Sequence, residues 1–169
     1  SDYINAGDGF DLANKSFTLS AWMKRDSVNK WQVIFDQSSN SDINESLIFG
    51  FRSNNDLTLD FLGNGMDSSA FSSTTEWQHV TATYDDETGA RAIYRNGVLV
   101  ASDTATENYQ GSGDLYIGRS AEGGYLDNAG QDAYFDGALD ELAVYDYALS
   151  AEEIAAAFVH KLTGDEAGL

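Results

Sequence analysis

The sequence predicts an all-β fold, a two-sheet antiparallel β-sandwich with a short C-terminal helix. Through most of the 169 residues, apolar and polar side chains alternate with the period of two that is typical of strands. Stretches of turn-forming residues interrupt this alternation about every 8–12 residues, as they do in sandwiches and barrels. A helical repeat occurs only near the end of the chain. We therefore expect about ten to thirteen strands followed by one helix.

The first half of the chain contains four predicted strands. In Phe17–Lys24 every second residue is apolar, which indicates one buried face. Trp31–Phe35 is a short apolar run. Ser46–Phe51 and Leu57–Leu62 flank the turn-rich sequence Arg-Ser-Asn-Asn-Asp, which predicts a hairpin.

The second half begins with the alternating segment Trp77–Tyr84, in which Val80 and Ala82 share one face. Further along, Asn96 and Gly97 separate two alternating stretches and predict a type I′ turn, because that turn needs a positive φ at both central residues. The other predicted strands of this half are Ala90–Tyr94, Val98–Ser102, Leu115–Gly118 and Phe135–Tyr145. We interpret the last of these segments as a strand pair.

A capping box predicts where the helix begins. Ser150 is the expected N-cap, and Glu153 follows three residues later. Apolar or long side chains then recur at helical spacing, at Ile154, Ala157, Phe158 and Lys161. We expect a helix of about ten residues that ends near Gly164.

Aromatic and histidine side chains in these elements have structural interpretations. Four aromatic residues of the strands are expected in the core, namely Trp22, Trp77, Tyr84 and Tyr94. His79 lies on a strand and is interpreted as a hydrogen-bonded structural residue. His160 lies near the helix end, where a partial positive charge suits the helix dipole.

The chain is strongly acidic, with 28 Asp and Glu residues against 9 Lys and Arg residues and a formal net charge of −19. Nucleic acid and anionic membranes are disfavoured as partners because both require a basic face. The acidic side chains lie mainly in predicted loops, where they favour solubility and can bind cations. The sequence has no cysteine, which excludes disulfides, zinc–thiolate centres and cysteine nucleophiles.

We expect one domain that spans residues 1–169. The length suits a single domain, and the sequence contains no internal repeat and no linker. No apolar stretch of about 18 residues could cross a membrane. Because the sequence starts without Met and without a signal-peptide pattern, we expect a monomeric domain that belongs to a longer chain.

Six motifs occur in an order that resembles a known family. They are Phe-Thr-Leu-Ser-Ala-Trp at 17–22, Trp-x-His-Val-x-Ala-Thr-Tyr at 77–84, Tyr-x-Asn-Gly-x-Leu-Val at 94–100, Leu-Tyr-Ile-Gly at 115–118, Phe-Asp-Gly-Ala-Leu-Asp-Glu-Leu-Ala-Val-Tyr at 135–145 and Ala-Leu-Ser-Ala-Glu-Glu-Ile at 148–154. Together they resemble the laminin G-like, concanavalin A-like jelly-roll domains of bacterial secreted proteins and adhesins. The resemblance covers nearly the whole chain and implies a jelly roll.

The resemblance also implies a structural calcium ion, Ca²⁺, that ties the N-terminal segment to the last strand. The matching positions are Asp8 with the carbonyl of Gly9, and Asp140 with the carbonyl of Ala138. Mixed carboxylate and carbonyl oxygens are ligands that calcium prefers. The alternative is that Asp140 accepts backbone N–H bonds and binds no metal, since a buried carboxylate needs some partner.

Sugar-binding jelly rolls hold their ligands in end loops or on the concave sheet, and the resemblance implies a similar site here. Three loops are rich in Asp, Asn, Ser and Gly, at residues 36–45, 63–74 and 119–134. In the third loop the candidate ligand-binding residues are Tyr125 and Tyr134 as stacking rings and Asp127, Asn128 and Asp132 as oxygen ligands. The alternative is a solvated loop without a ligand.

We expect no catalytic site. The chain has two histidines and no Gly-x-Ser-x-Gly turn, so a serine hydrolase triad is unsupported. Glucanases that share the jelly roll carry a Glu-x-Asp-x-Glu strand motif, with both carboxylates on one face. Here Asp136 and Asp140 share a face, but Glu141 points away.

These observations together predict a non-catalytic extracellular adhesion module that is stabilised by calcium and binds a carbohydrate or cell-surface glycan. Two other functions remain open, a protein- or peptide-binding adhesion domain and a structural spacer in an adhesin. A glycoside hydrolase is less favoured, and the sequence does not identify a particular sugar.

Overall fold

The computed structural model describes residues 2–38, 40–128, 130 and 133–164, with the backbone alone at 127, 128 and 161–164. Within these residues the strands are β1 (Ile4–Asn5), β2 (Phe17–Arg25), β3 (Gln32–Ser38), β4 (Ser46–Phe51), β5 (Leu57–Asp60), β6 (Gly65–Asp67), β7 (Gln78–Tyr84), β8 (Ala90–Arg95), β9 (Val98–Thr104), β10 (Leu115–Ile117) and β11 (Gly137–Tyr145). The helices are α1 (Tyr125–Asn128) and α2 (Ala151–Gly164). Within this part of the chain, neither helix has the length and apolar character needed to cross a membrane.

The strands form two antiparallel sheets, which confirms the predicted sandwich. One sheet has six strands in the order β1-β10-β3-β4-β5-β6, and the other has five in the order β11-β2-β7-β8-β9. Strands distant in sequence lie side by side, for example β10 beside β3 and β11 beside β2. This arrangement of two sheets with long crossovers is consistent with a jelly roll.

Aromatic rings fill much of the core between the sheets. The ring of Phe17 packs against the rings of Phe61 and Tyr84, with centroids 6.2 and 5.4 Å apart. Tyr109 joins this cluster 5.5 Å from Phe61, and its hydroxyl donates a hydrogen bond to the carbonyl oxygen of Gln37. Rings of this size each remove about 150–250 Å² from water, so this cluster contributes much of the hydrophobic stabilisation.

The predicted alternation and the predicted hairpin turn are both confirmed. Leu19 in β2 and Val80 and Ala82 in β7 are fully buried. Asn96 and Gly97 have φ values of 51° and 75°, as a type I′ turn requires.

The C-terminal strand differs from the predicted strand pair. β11 is one nine-residue strand that pairs with β2, and its register shifts between Asp140 and Ala143. Glu141 has a φ of 48° at this irregularity. A bulge of this kind bends a strand, so one long strand can follow the curved edge of the sheet without a turn.

Helix α2 begins with the predicted capping box. The backbone N–H of Ser150 donates to Glu153 Oε2 at 2.8 Å, and the backbone N–H of Glu153 donates to Ser150 Oγ at 3.2 Å. The helix packs on the outer face of the five-stranded sheet, where the Phe158 ring lies 5.7 Å from Trp22 and 6.0 Å from His79.

The expected positions of the strand aromatics are only partly confirmed. Tyr84 lies in the core between the sheets, as expected. The expectation that Tyr94 and Trp22 lie between the sheets is wrong. Tyr94 is buried but pairs with Thr81 on the outer face of the five-stranded sheet, and Trp22 is half-buried on that face against Phe158 of α2. The expectation for Trp77 is wrong: it precedes β7 and is 42% exposed, because the buried face of that strand starts at Val80.

The segment that follows β10 lies across the outer face of the six-stranded sheet. We call the described part of residues 119–135 the covering segment. Its residues Leu126 and Ala133 pack against Val33 and Ile48 of the sheet. A register shift between Val33 and Phe35 allows this face of β3 to carry Val33 while Phe35 enters the core.

Candidate functional site

An arginine surrounded by three tyrosines lies at the start of the covering segment. The guanidinium carbon of Arg119 is 4.8 Å from the ring centroid of Tyr3, 5.3 Å from that of Tyr134 and 5.6 Å from that of Tyr116. We call these four residues the arginine–tyrosine cluster. Cation–π contacts within about 6 Å contribute roughly 0.5–2 kcal/mol each, so the cluster stabilises its own geometry.

Strand pairing and one glycine bring the cluster together. β1 pairs with β10 so that Asn5 lies opposite Tyr116, and this pairing places the Tyr3 ring 6.2 Å from the Tyr116 ring. Gly118 has a φ of 83° and turns the chain away from β10. Its carbonyl accepts the backbone N–H of Phe135 at 2.8 Å, so the far end of the covering segment returns to the same point. That return brings Tyr134 to Arg119.

Protein groups already hold the guanidinium in place. The side chain of Arg119 is only 9% exposed. Its Nε–H donates to the carbonyl oxygen of Ser120 at 2.9 Å, and Nη1 donates to Glu122 Oε1 at 3.2 Å. The arginine therefore acts as the centre around which the tyrosine rings are arranged.

The tyrosine rings of the cluster and of α1 differ in exposure, and a ligand can reach the more exposed ones. Tyr3 is 46% exposed and Tyr134 is partly buried, whereas Tyr116 is buried beneath them. Tyr125 in α1 is 36% exposed. The negative face of an aromatic ring attracts the polarised C–H groups of a sugar, so exposed tyrosines are suitable stacking platforms.

A buried carboxyl group lies on the same face of the sheet. Asp36 pairs with Tyr116 of β10, is fully buried, and accepts the Ser38 hydroxyl at Oδ1, 2.5 Å away. Among the described residues, Oδ2 has no hydrogen-bond partner. Burial raises the pKa of Asp36 to about 7, and the hydrogen bonds from Ser38 and Ala121 and the charge of Arg119 oppose that rise only in part. The sequence analysis assigned Asp36 to a loop, whereas β3 includes it.

The structure places the predicted ligand-binding residues in different positions. Tyr134 belongs to the cluster, and Tyr125 is an exposed residue of α1. Asp127 and Asn128 continue α1, where the backbone alone is described, and Asp132 lies outside the described residues. Their role as oxygen ligands stays a prediction.

Sequence analysis missed three members of the cluster: Tyr3, Tyr116 and Arg119. Tyr3 precedes a strand of two residues that the alternation pattern does not detect. Tyr116 alternates with the core-facing neighbours Leu115 and Ile117, so its strand position alone suggested only packing. An aromatic residue of a predicted strand on the face away from the core is the signal that could have identified it.

Two of the four predicted metal ligands, Gly9 and Ala138, line crevices along the seam between the N-terminal segment and β11. Gly9 lines a crevice of about 850 Å³ together with Tyr145 at the end of β11. Ala138 lines a crevice of about 320 Å³ together with Tyr3 and Ile4. The N-terminal segment and the last strand therefore are neighbours, as the calcium prediction requires, but Gly9 and Ala138 border different crevices.

Asp8 and Asp140 supply the carboxylates of the predicted calcium site. Asp140 is exposed, so the expected burial of its carboxylate is wrong. It lies opposite Trp22 in the strand pairing, and its Oδ1 accepts the backbone N–H of Glu141 at 2.8 Å, as the alternative without a metal predicted. Asp8 lies in an exposed turn. Within the described residues, no group of three or more His, Asp or Glu side chains is arranged to hold a metal ion. The donor types suit calcium only if backbone carbonyls complete the shell.

A buried serine–histidine contact, the kind of pair that a hydrolase would use, lies beneath α2. Ser20 Oγ is 2.8 Å from His79 Nε2, and it is also 3.3 Å from the Thr81 hydroxyl. Both Ser20 and His79 are buried, and the Phe158 ring of α2 lies over the histidine. The structural interpretation of His79 agrees with this position, because a substrate would have to displace the helix to reach the pair.

Comparisons with known proteins agree with this fold. Residues 1–155 match the family model described as the concanavalin A-like lectin/glucanases superfamily. A search of curated proteins found no match to the chain.

Three solved structures illustrate the similarity. Domain 4 of an extracellular arabinanase from Geobacillus stearothermophilus, in complex with arabinotriose, is 22% identical with a TM-score of 0.68, covering 91% of this chain and 71% of that one. The family-40 carbohydrate-binding module of the Ruminococcus gnavus IT-sialidase, bound to α2,3-sialyllactose, is 18% identical with a TM-score of 0.68, covering 94% and 96%. A heptameric pentraxin from Limulus polyphemus is 19% identical with a TM-score of 0.62, covering 83% and 68%. At these identities the similarity shows the fold alone.

Proposed function

Because the chain belongs to the concanavalin A-like lectin/glucanases superfamily, we propose that it is a carbohydrate-binding module whose ligand contacts the arginine–tyrosine cluster. The observation that carries the proposal is the exposed ring of Tyr3, which lies 6.5 Å from the partly buried ring of Tyr134 beside a buried, internally paired arginine. A small number of placed polar groups among aromatic side chains is typical of ligand sites. The carbohydrate ligands of two similar structures support the choice of ligand class.

The module is proposed to be non-catalytic and extracellular. Its Ser20–His79 pair is buried beneath α2, which argues against hydrolysis at that pair. One of the similar sugar-binding domains belongs to an extracellular enzyme, which supports a role outside the cell for this chain as well. A calcium ion in the seam next to Asp8 and Asp140 is part of the same proposal.

Substitution of one cluster tyrosine tests the site. Tyr134→Ala should weaken the binding of a glycan by about tenfold, since the loss of a central aromatic contact costs more than about 1 kcal/mol. A glycan array identifies the ligand first, and titration calorimetry then measures the affinities. Tyr147→Ala is the control, because Tyr147 is 46% exposed, whereas Tyr134 is partly buried, and it follows β11 on the other sheet.

Two results would contradict the proposal. Equal glycan affinity of Tyr134→Ala and the unmodified protein would show that the glycan does not bind at the arginine–tyrosine cluster. Absence of binding to every glycan, with binding to a protein that survives periodate treatment, would replace carbohydrate recognition by protein recognition.

A further inference from the structure

We infer that the arginine–tyrosine cluster selects neutral sugars and that Arg119 is a positioning residue for the tyrosine rings, not a receptor for an anionic group. This inference rests on the proposed carbohydrate-binding function and adds the charge class of the ligand.

The guanidinium is poorly available to an external anion. Its side chain is 9% exposed, and its Nε–H and Nη1–H groups donate to Ser120 and Glu122. Rings of Tyr3, Tyr116 and Tyr134 lie around it at 4.8–5.6 Å. An anionic sugar would have to displace Glu122 or a tyrosine to form the bidentate contact that arginine makes with carboxylates.

Carboxylates outnumber basic groups around the cluster. Glu122 bonds the guanidinium on one side, and Asp114 accepts a hydrogen bond from Asn5 at 2.7 Å beside Tyr116. Burial, and then the charges of Glu122 and Asp114, raise the pKa of the Tyr116 hydroxyl, although Arg119 lowers it. Two carboxylates therefore lie near Tyr116 beside the one guanidinium of Arg119.

The charge of the whole chain acts in the same direction. A net charge of −19 repels an anionic ligand on approach, and this repulsion extends over about 8–10 Å at physiological salt. A neutral sugar carries no such penalty. Its hydroxyl groups can instead donate hydrogen bonds to carboxylates at the rim, of which Glu122 is 64% exposed.

A matched pair of ligands tests the inference. Lactose and α2,3-sialyllactose differ by one anionic sugar. Each further neutral glycan that the array identifies is compared in the same way with its own sialylated or uronic acid form. Binding is measured by calorimetry on the calcium-loaded protein and repeated with a chelator, so that an anionic ligand held through a bridging calcium ion is distinguished from one held by the protein alone. The neutral form should bind at least about tenfold more tightly, because the carboxylates near the cluster repel the anionic group. Affinity for the neutral form should not fall as salt is raised.

Three variants distinguish a positioning role of Arg119 from anion binding. Arg119→Gln should weaken neutral binding by about tenfold, because the rings lose their centre, and Arg119→Lys should restore part of that loss through its own cation–π contacts. Glu122→Gln should raise the affinity of the anionic form relative to the neutral form. Glu87→Gln is the control for the same charge change, because Glu87 is exposed in the turn between β7 and β8.

The outcomes are distinct. Equal or tighter binding of the anionic form, lost in Arg119→Gln while neutral binding is kept, would overturn this inference and leave the carbohydrate function intact. Failure to bind any glycan, neutral or anionic, would overturn both. Neutral selectivity with loss of neutral binding in Arg119→Gln supports both.

Discussion

Asp36 illustrates how one residue can have an environment that its neighbours in sequence do not suggest. Its carboxyl group is fully buried on the outer face of β3, and its Oδ2 has no hydrogen-bond partner among the described residues. The covering segment causes this burial, since its Ala121 N–H bonds the carboxyl and its Arg119 lies near enough to influence its charge. A carboxylate in such a position is costly unless it is protonated or paired.

The burial of Asp36 predicts a pH-dependent stability. Burial raises the pKa of Asp36 from 3.8 to about 7 in the folded protein. As pH rises from about 4 to 7, the unfolded chain releases this proton before the folded protein does, so this group lowers the unfolding free energy across that window, by up to about 4 kcal/mol in total. Above about pH 7 the effect is constant.

Asp36→Asn should flatten this part of the pH profile, because the asparagine does not titrate. Urea unfolding at several pH values between about 4 and 8 measures the change, with Glu87→Gln as the control for one lost carboxylate. A profile that keeps its slope in Asp36→Asn would assign the pH dependence to other groups.

At the scale of single elements, α2 shows the clearest relation between sequence and structure. Its capping box forms with the two predicted hydrogen bonds. The helix then places Phe158 against Trp22 and His79, so it protects the outer face of the five-stranded sheet. The start signal was local, whereas the surface that the helix covers depends on the sheet.

Removing the N-cap should loosen this helix. Ser150→Ala deletes the side-chain acceptor for the Glu153 N–H and should lower the unfolding free energy by about 1 kcal/mol. Urea unfolding followed by tryptophan fluorescence measures the loss. Ser150→Asp supplies another good N-cap and should keep most of the stability, so an equal loss in both variants would contradict the capping interpretation.

At the scale of the whole molecule, the N-terminal segment and β11 border the same seam from different sheets. Three crevices of the seam contain residues from both parts, with Tyr3 and Leu139 in one and Gly9 and Tyr145 in another. A cation bound across the seam would connect the two sheets at their edges. Chain ends are otherwise weakly held in most domains.

Calcium should therefore stabilise the folded protein. At a calcium concentration of about 100 times Kd, the ion adds about 2.7 kcal/mol, which corresponds to a rise in melting temperature of roughly 5–10 °C. Differential scanning calorimetry with calcium and then with chelator measures the change. Asp140→Ala should lose most of the rise in melting temperature that calcium causes, whereas the control Glu87→Ala should keep it. If calcium leaves the melting temperature of the unmodified protein unchanged, the calcium proposal is wrong.

Much of the fold could be predicted from the sequence because its determinants are local. The buried faces of β2 and β7 follow from alternation, and the turn at Asn96 and Gly97 follows from their tolerance of positive φ. β11 was mispredicted as a strand pair because the bulge at Glu141 has no local signal as strong as a turn. Trp77 was mispredicted because strand periodicity does not tell where a strand begins.

The candidate site could be predicted only in part. Tyr134 was identified because it lies in a polar aromatic loop, but its partners Tyr3 and Arg119 are separated from each other by most of the chain. Only the pairing of β1 with β10 and the return of the covering segment to Gly118 bring them together. Side-chain contacts of this kind depend on long-range pairing, which local patterns do not encode.

The sequence by itself therefore determined the class of fold, the helix start, the acidic character and the lack of cysteine chemistry, because each depends on composition or on neighbours a few residues apart. The tertiary structure decided which sheet each strand joins, that Asp36 is buried, and that one arginine gathers three tyrosines. Local sequence does not determine these features, because burial and cation–π contact join segments that are distant in sequence, and only the long-range pairing of strands brings those segments together.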